Sequence, residues 1–178
     1  MMDIDQLIYD KAIKEGFTPT SAKFVIAQAR HETANYTSPV FKRTNNLFGM
    51  KFVNQPLAIS DNKKSPEKDY YARYRSPKDS VDDAIGRLFN ITMRGVTPTQ
   101  LKNAKTPEEY SNLQKKRGYF GDEVPIYIKG IKNALNKISV KTTEFYTQNK
   151  GKSDLTLGIV LISLALFITY KISQAKTK

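Results

Sequence analysis

The sequence predicts a mostly helical domain with a small β-hairpin lobe, followed by a C-terminal transmembrane helix. Three observations carry this. Serine or threonine precedes proline at Thr18-Pro19, Ser76-Pro77 and Thr106-Pro107, each ahead of residues with helical character. Between Lys51 and Tyr74 no helical stripe exists, and PLAIS, DNKKSPEK and DYYARY read as strand, polar turn and strand. From Leu155 to Tyr170 the chain carries no charge.

Taken in order, Asp3 opens a helix whose Ile4, Leu7, Ile8 and Ala12 share one face, and Gly16 closes it. Thr18-Pro19 opens the second, because the threonine oxygen takes an orphan N–H and the proline has none to leave unpaired. That helix runs through Phe24, Ala27 and Gln28 to Glu32. The hairpin lobe follows, and then Ser76-Pro77 starts a third helix with Val81, Ala84, Ile85, Leu88 and Phe89 facing a core. Thr106-Pro107 starts a fourth, with Glu109 placed to close a capping box. The last soluble helix carries Val124, Ile128, Ile131, Leu135 and Ile138. The domain so predicted covers 1–146, a polar linker 147–153, a transmembrane helix 154–172 and a basic tail 173–178. As a helix the uncharged run spans roughly 24 Å, somewhat short of a ~30 Å hydrocarbon core. Snorkelling by Lys152 and Lys171, with Tyr170 at the interface, covers the difference.

The formal charge is +12, from 29 Lys and Arg against 17 Asp and Glu in 178 residues. Such an excess favours anionic partners: nucleic acid, lipid headgroups or the polyanions of a bacterial envelope. The basic residues are scattered with no run of five, so nucleic acid is not an expected partner. Without cysteine there is no disulfide and no thiolate metal site, and a single histidine disfavours a zinc centre. No cofactor or metal is expected.

The chemistry centres on Glu32, at a helix end within QARHETANYTS and ahead of the loop TNNLFGMKF. Tyr36, Asn45, Asn46 and Phe48 cluster beside it. Amides suit sugar hydroxyls and acetamido groups, and rings cover apolar sugar faces. A glutamate enclosed by such groups has its pKa raised by desolvation, which is what a general acid needs near neutral pH. His31 precedes it, but helix neighbours point in different directions, so His31 reads as a packing residue.

HETANYTS…NNLFGMK resembles the core motif of the glucosaminidase family of peptidoglycan hydrolases, whose fold is lysozyme-like and which includes flagellar muralytic domains and autolysins. In that resemblance Glu32 takes the catalytic acid position, Ser38 the following serine, and Asn45, Asn46, Phe48 and Gly49 the loop. YARYRSPKDSVDD resembles the family's strand-to-helix segment, which brings in Tyr74. LQKKRGYFGDEVPIY resembles its L-Q…G-Y…D…Y element, which places Tyr119 beside the acid. The resemblance implies a peptidoglycan-cleaving glycosidase of the endo-β-N-acetylglucosaminidase type. Glu32 and Tyr119 would be catalytic, and Ser38, Asn45, Asn46, Phe48 and Tyr74 would bind the glycan strand. Many members carry a second carboxylate in the β-lobe; here that stretch offers Asp61, Glu67 and Asp69, of which Asp61 is best placed. With one carboxylate alone, the substrate's acetamido group or a sugar hydroxyl completes the reaction, so hydrolase and lytic transglycosylase both stay open.

The acidic start MMDIDQ shows no secretory leader, while the C-terminal run predicts a membrane anchor. Carriage in the membrane of a lipid-containing bacteriophage, with other virion proteins as partners, reconciles the two. The competing expectation is a non-catalytic structural or wall-binding protein on the same fold.

Overall fold

The computed structural model describes residues 3–65 and 68–141. The predicted linker, anchor and tail lie outside the described residues, as does Glu67. Among the described residues no helix is long and apolar enough to cross a membrane.

Asp3 caps α1 (Ile4–Lys14), and its carboxylate accepts the first orphan N–H groups. Thr18 caps α2 (Pro19–Glu32) and Ser38 caps a short α3 (Pro39–Thr44). Strands β1 (Ala58–Lys64) and β2 (Tyr70–Tyr74) form the hairpin. Then come α4 (Pro77–Gly86), a 3-10 turn over Leu88–Asn90, α5 (Pro98–Lys102), α6 (Pro107–Arg117) and α7 (Val124–Leu135). The mostly helical domain with a two-stranded lobe is therefore observed. Two helices add to the expected set. Both use the cap already recognised elsewhere, at Ser38-Pro39 and Thr97-Pro98. Six and five residues are too few for an apolar stripe to repeat, so only the cap announces them.

Local details differ from expectation for physical reasons. Thr106 accepts from the Glu109 N–H, but the Glu109 carboxylate takes the Lys105 N–H at 2.7 Å, one residue before the cap. The full capping box forms instead at Ser76 with Asp79 and at Thr97 with Gln100. Leu88 and Phe89 leave the α4 stripe, because that helix ends at Gly86 and both fall in the 3-10 turn. In α7 the buried face is Tyr127, Ile131 and Ala134. Tyrosine's polar tip hid it from a stripe drawn through aliphatic residues, and Val124 and Ile128 are only half-buried.

α2 is the central strut. Ala22, Val25, Ile26 and Ala29 are fully buried against Ile8, Tyr9 and Ala12 of α1, Val81, Ala84 and Ile85 of α4, and Phe89. On its other side Ala27 meets Tyr127, Ile131 and Ala134 of α7. Apart from a strip through Thr20, Lys23 and Arg30, α2 is covered from Ser21 to Ala29, so its C-terminal residue Glu32 ends half-buried against the protein.

The hairpin pairs Ala58 with Tyr74, Ser60 with Ala72 and Lys64 with Tyr70, with an irregularity between Ser60 and Lys64. β1 thus runs through DNKK, expected as turn, and ends at Lys64, with β2 beginning at Tyr70. The irregularity re-aims one side chain: Asp61 points inward and is buried, while its neighbours in β1 are exposed or half-buried.

α1 is tied to the end of α2 by a polar cluster. Asp5, buried in α1, accepts from Arg30 Nε and Nη2 (2.7 Å for the closest contact) and from the Tyr36 hydroxyl at 2.6 Å. Removing one partner of such a pair strands the other in a dry setting. Asp5→Ala is expected to lower unfolding free energy by about 3 kcal/mol in urea melts. A loss below about 1 kcal/mol would place the pair among solvent-screened surface bridges.

Candidate active site

Glu32 is the last residue of α2, and its carboxyl faces a cavity of about 470 Å³. The loop after α3, Tyr71 of β2 and the Gly121–Asp122 segment wall this cavity. The loop owes its shape to two asparagines. Asn45 turns left-handed (φ 53°) to end α3 and donates to the carbonyls of Tyr74 and Arg75. Asn46 is buried, and its amide nitrogen donates to the carbonyls of Met50 (2.8 Å) and Ala72 (3.0 Å). Its Oδ1 accepts from the Phe48 and Met50 N–H groups at 3.3 and 3.0 Å. The loop then presses on the acid. Gly49 has φ +59°, and a Cβ there would lie 3.2 Å from Glu32 Oε2, so both backbone and space call for glycine.

The group that bonds the carboxyl is neutral. The Tyr127 hydroxyl donates to Glu32 Oε1 at 3.3 Å. Its ring stacks on Phe120 at 3.7 Å and meets the His31 ring edge-on at 5.2 Å. Any side chain at position 130 would collide with His31, so Gly130 lets α7 close over that ring. One turn before Glu32, Gln28 is buried and accepts from the Tyr110 hydroxyl and from Gln114 Nε2. Burial, reinforced by the Asp122 charge, pushes the Glu32 pKa up to about 7, and the Tyr127 donor only partly offsets it. The same burial lowers that of His31.

Not every residue singled out by sequence meets at this cavity. Ser38 and Asn46 line it, but the Ser38 hydroxyl caps α3 and the Asn46 amide is engaged by the loop and by β2. Phe48 is a core ring, edge-on to Phe89 at 5.8 Å. Asn45 and Tyr74 line a different cavity beside Arg43, Arg73 and Arg75, and the Tyr74 hydroxyl donates to Asp83 at 2.7 Å. Tyr119 lines an adjoining cavity of about 480 Å³, which shares Gly49 and Lys51 with the first. Its hydroxyl donates to the Phe48 carbonyl, so it pins the loop rather than touching the acid. Asp61 does not line the Glu32 cavity. Arg43 grips it at 2.7 Å, and those hydrogen bonds hold its pKa below the usual carboxylate range.

Beyond the residues the sequence singles out, Asp122, Lys51 and Tyr71 line this cavity and Tyr127 bonds the acid. Tyr127 was readable from its spacing with Ile131 and Ala134, and Asp122 stood inside a motif used only for its tyrosine. Lys51 and Tyr71 gave no signal, since only the hairpin's fold brings them to the cavity. Among the described residues no group of three or more His, Asp or Glu is arranged to hold a metal ion.

Comparison with known proteins adds to this geometry. The glucosaminidase family model, described as mannosyl-glycoprotein endo-beta-N-acetylglucosaminidase, matches residues 9–150, well over half of the chain. No curated protein matches the sequence. Among solved structures, a peptidoglycan hydrolase from Sphingomonas sp. A1 is similar with a TM-score of 0.59 at 19% identity, over 79% of this chain and 97% of that one. The catalytic domain of the autolysin Auto from Listeria monocytogenes gives 0.48 at 23% identity, over 75% and 79%. The Sphingomonas likeness shows a shared fold.

Two substitutions test the environment of Glu32. Tyr127→Phe removes a donor that favours the ionised carboxylate, so the Glu32 pKa is expected to rise further above about 7 in a carbon-detected NMR titration. An unchanged titration would mean the hydroxyl does not bond the carboxylate in solution. Gly49→Ala strains a left-handed residue and crowds Oε2, with an expected stability loss of about 1–2 kcal/mol in denaturant melts.

Proposed function

Since the chain belongs to the glucosaminidase family and is a glycoside hydrolase, we propose that it cleaves peptidoglycan glycan strands at an N-acetylglucosaminyl bond, with Glu32 as general acid. The observation that carries this reading is a carboxyl enclosed at a cavity wall with its pKa pushed up to about 7. Such a group still holds its proton near neutral pH, and so has one to give to the glycosidic oxygen as that bond breaks. The family description names an endo-acting N-acetylglucosaminidase, and the Sphingomonas protein is described as a peptidoglycan hydrolase; both support the substrate class. Tyr127 holds the acid and Tyr119 holds the loop that faces it, so both act by positioning.

The uncharged run from Leu155 to Tyr170 supports a membrane tether for the same domain. Release of the chain from vesicles by alkaline carbonate would overturn that tether. Placement in the membrane of a virus particle is a proposal of the same kind, and absence of the chain from purified particles of its source virus would end it.

The test of the activity is turbidity clearing of purified peptidoglycan by the parent and by Glu32→Gln, with products identified by mass spectrometry. The variant is expected to lose on the order of 10²–10⁴-fold in rate. Because the acid works only when protonated, the parent's rate is expected to fall as pH rises through about 7. Reducing ends mark hydrolysis and anhydro ends mark transglycosylation. A folded parent that clears no wall preparation would leave a wall-binding protein on this fold.

A further inference from the structure

We propose that Asp122 is the second carboxylate of the reaction, acting as the general base that activates the attacking water. The inference rests on the glycosidase reading of Glu32 given above.

Asp122 lines the same cavity as Glu32, whereas Asp61 is held in its ion pair with Arg43 and Asp69 lies exposed just ahead of β2. Its side chain is exposed and makes no hydrogen bond or ion pair with any described residue. The helix start beside it offers a structural use that it does not take: α7 begins after Glu123 with no side-chain cap. Its backbone, in contrast, is fixed. Lys115 Nζ donates to the carbonyls of Gly121 and Asp122 at 2.8 and 2.7 Å and lies over the Phe120 ring. Phe120 stacks on Tyr127, and Tyr127 donates to Glu32. A continuous chain of contacts therefore sets the Asp122 backbone relative to the Glu32 carboxyl. The titratable and charged groups around Glu32 are His31, Lys51, Tyr71, Tyr110, Tyr119, Tyr127 and Asp122, and Asp122 is the one carboxylate among them. Its charge reaches Glu32 and helps keep that acid protonated.

The step balances with water as the only co-reactant. Asp122 takes a proton from water as the water oxygen bonds to the anomeric carbon. The bond from that carbon to the glycosidic oxygen breaks, and the departing oxygen keeps the electron pair and takes the proton of Glu32. Asp122 ends protonated and Glu32 ionised, and solvent exchange returns the proton. Attack from the side opposite the leaving group inverts the anomeric centre.

The experiment uses the 178-residue chain in detergent with peptidoglycan oligosaccharides of defined length, comparing the parent, Asp122→Asn and Glu32→Gln. Early-time proton NMR of the parent is expected to show the inverted anomer. Asp122→Asn is expected to lose on the order of 10²–10³-fold in kcat with little change in KM. Sodium azide, a nucleophile that needs no base, is expected to restore turnover and yield a glycosyl azide. The pH profile carries a readout that a purely structural role would not move. The limb set by Glu32 shifts to lower pH because a nearby negative charge is gone. Retained anomeric configuration in the parent overturns the proposal. So does kcat within about twofold of the parent, or a loss that azide does not repair and that leaves the Glu32 limb in place. Should Asp122→Asn lose the parent's urea midpoint, Asp122→Ser is read by the same azide rescue. If Glu32→Gln cleaves as fast as the parent, or the parent cleaves nothing, the glycosidase reading itself fails. The two failures are thereby told apart.

Discussion

A stretch of chain without regular structure can run through a protein interior only if its backbone polar groups find partners. Between Asn45 and Met50 the side chain of Asn46 partners the Phe48 and Met50 N–H groups and the Met50 carbonyl. The Thr44 and Ser80 side chains take the Asn46 and Leu47 N–H groups, and that of Tyr119 takes the Phe48 carbonyl. Asn46 also gives to a second carbonyl, in β2. The hairpin lobe is thus joined to the helical body through the same amide that shapes the loop. Gly49 can approach the Glu32 carboxyl only because that loop is held, and the enclosure of Glu32 follows from the approach. The acid's chemistry is in this sense a consequence of an asparagine that never touches it.

Two carboxyls, Asp61 buried and Glu32 half-buried at its cavity wall, show how neighbours decide what burial does. Desolvation raises the pKa of Glu32 and of Asp61 alike. At Asp61 the Arg43 guanidinium overrides it, and the group becomes a fixed anion inside an ion pair. At Glu32 the nearest partners are neutral: the Tyr127 hydroxyl, with the amides and hydroxyl of Gln28, Gln114 and Tyr110 below. No cation bonds the carboxyl among the described residues, so desolvation prevails. Hydroxyls and amides thus align a carboxyl without discharging it of its proton, which an arginine in the same place would do.

The parts of this architecture legible in the sequence are those with local causes. Ser/Thr-Pro caps, the stripe of α4 and the end of α2 at Glu32 depend on residues close in the chain, and the expected elements formed there. Ser38-Pro39 and Thr97-Pro98 carried the same local signal, yet helices of a turn or so give no periodicity to confirm it. What was not legible depends on long-range geometry. Asp61 sat near an expected turn, but an irregularity in pairing drew it inward to Arg43, and no local pattern announces a register shift. Tyr119 and Tyr127 lie eight positions apart in one quoted segment. Which of them reaches the acid depends on how α7 folds back over α2. Residue type marks Phe48 and Asn46 for sugar contact and the family resemblance marks Tyr74, while the Phe48 ring, the Asn46 amide and the Tyr74 hydroxyl each have partners inside the fold.

The enclosure of Glu32 also makes the folded state hold a proton that the unfolded chain would release. Its pKa is 4.5 as a free side chain and about 7 in the fold. Below the lower value both states are protonated and nothing is lost. Between the two, the native state binds more protons than the unfolded one, so stability declines as pH rises, and it levels off once the native carboxyl has ionised. Around neutral pH the domain therefore carries a standing thermodynamic handicap at the residue its chemistry requires. Selection for a sturdier fold alone would replace this glutamate with an uncharged residue. Its presence marks a place where the molecule is tuned to react rather than to endure.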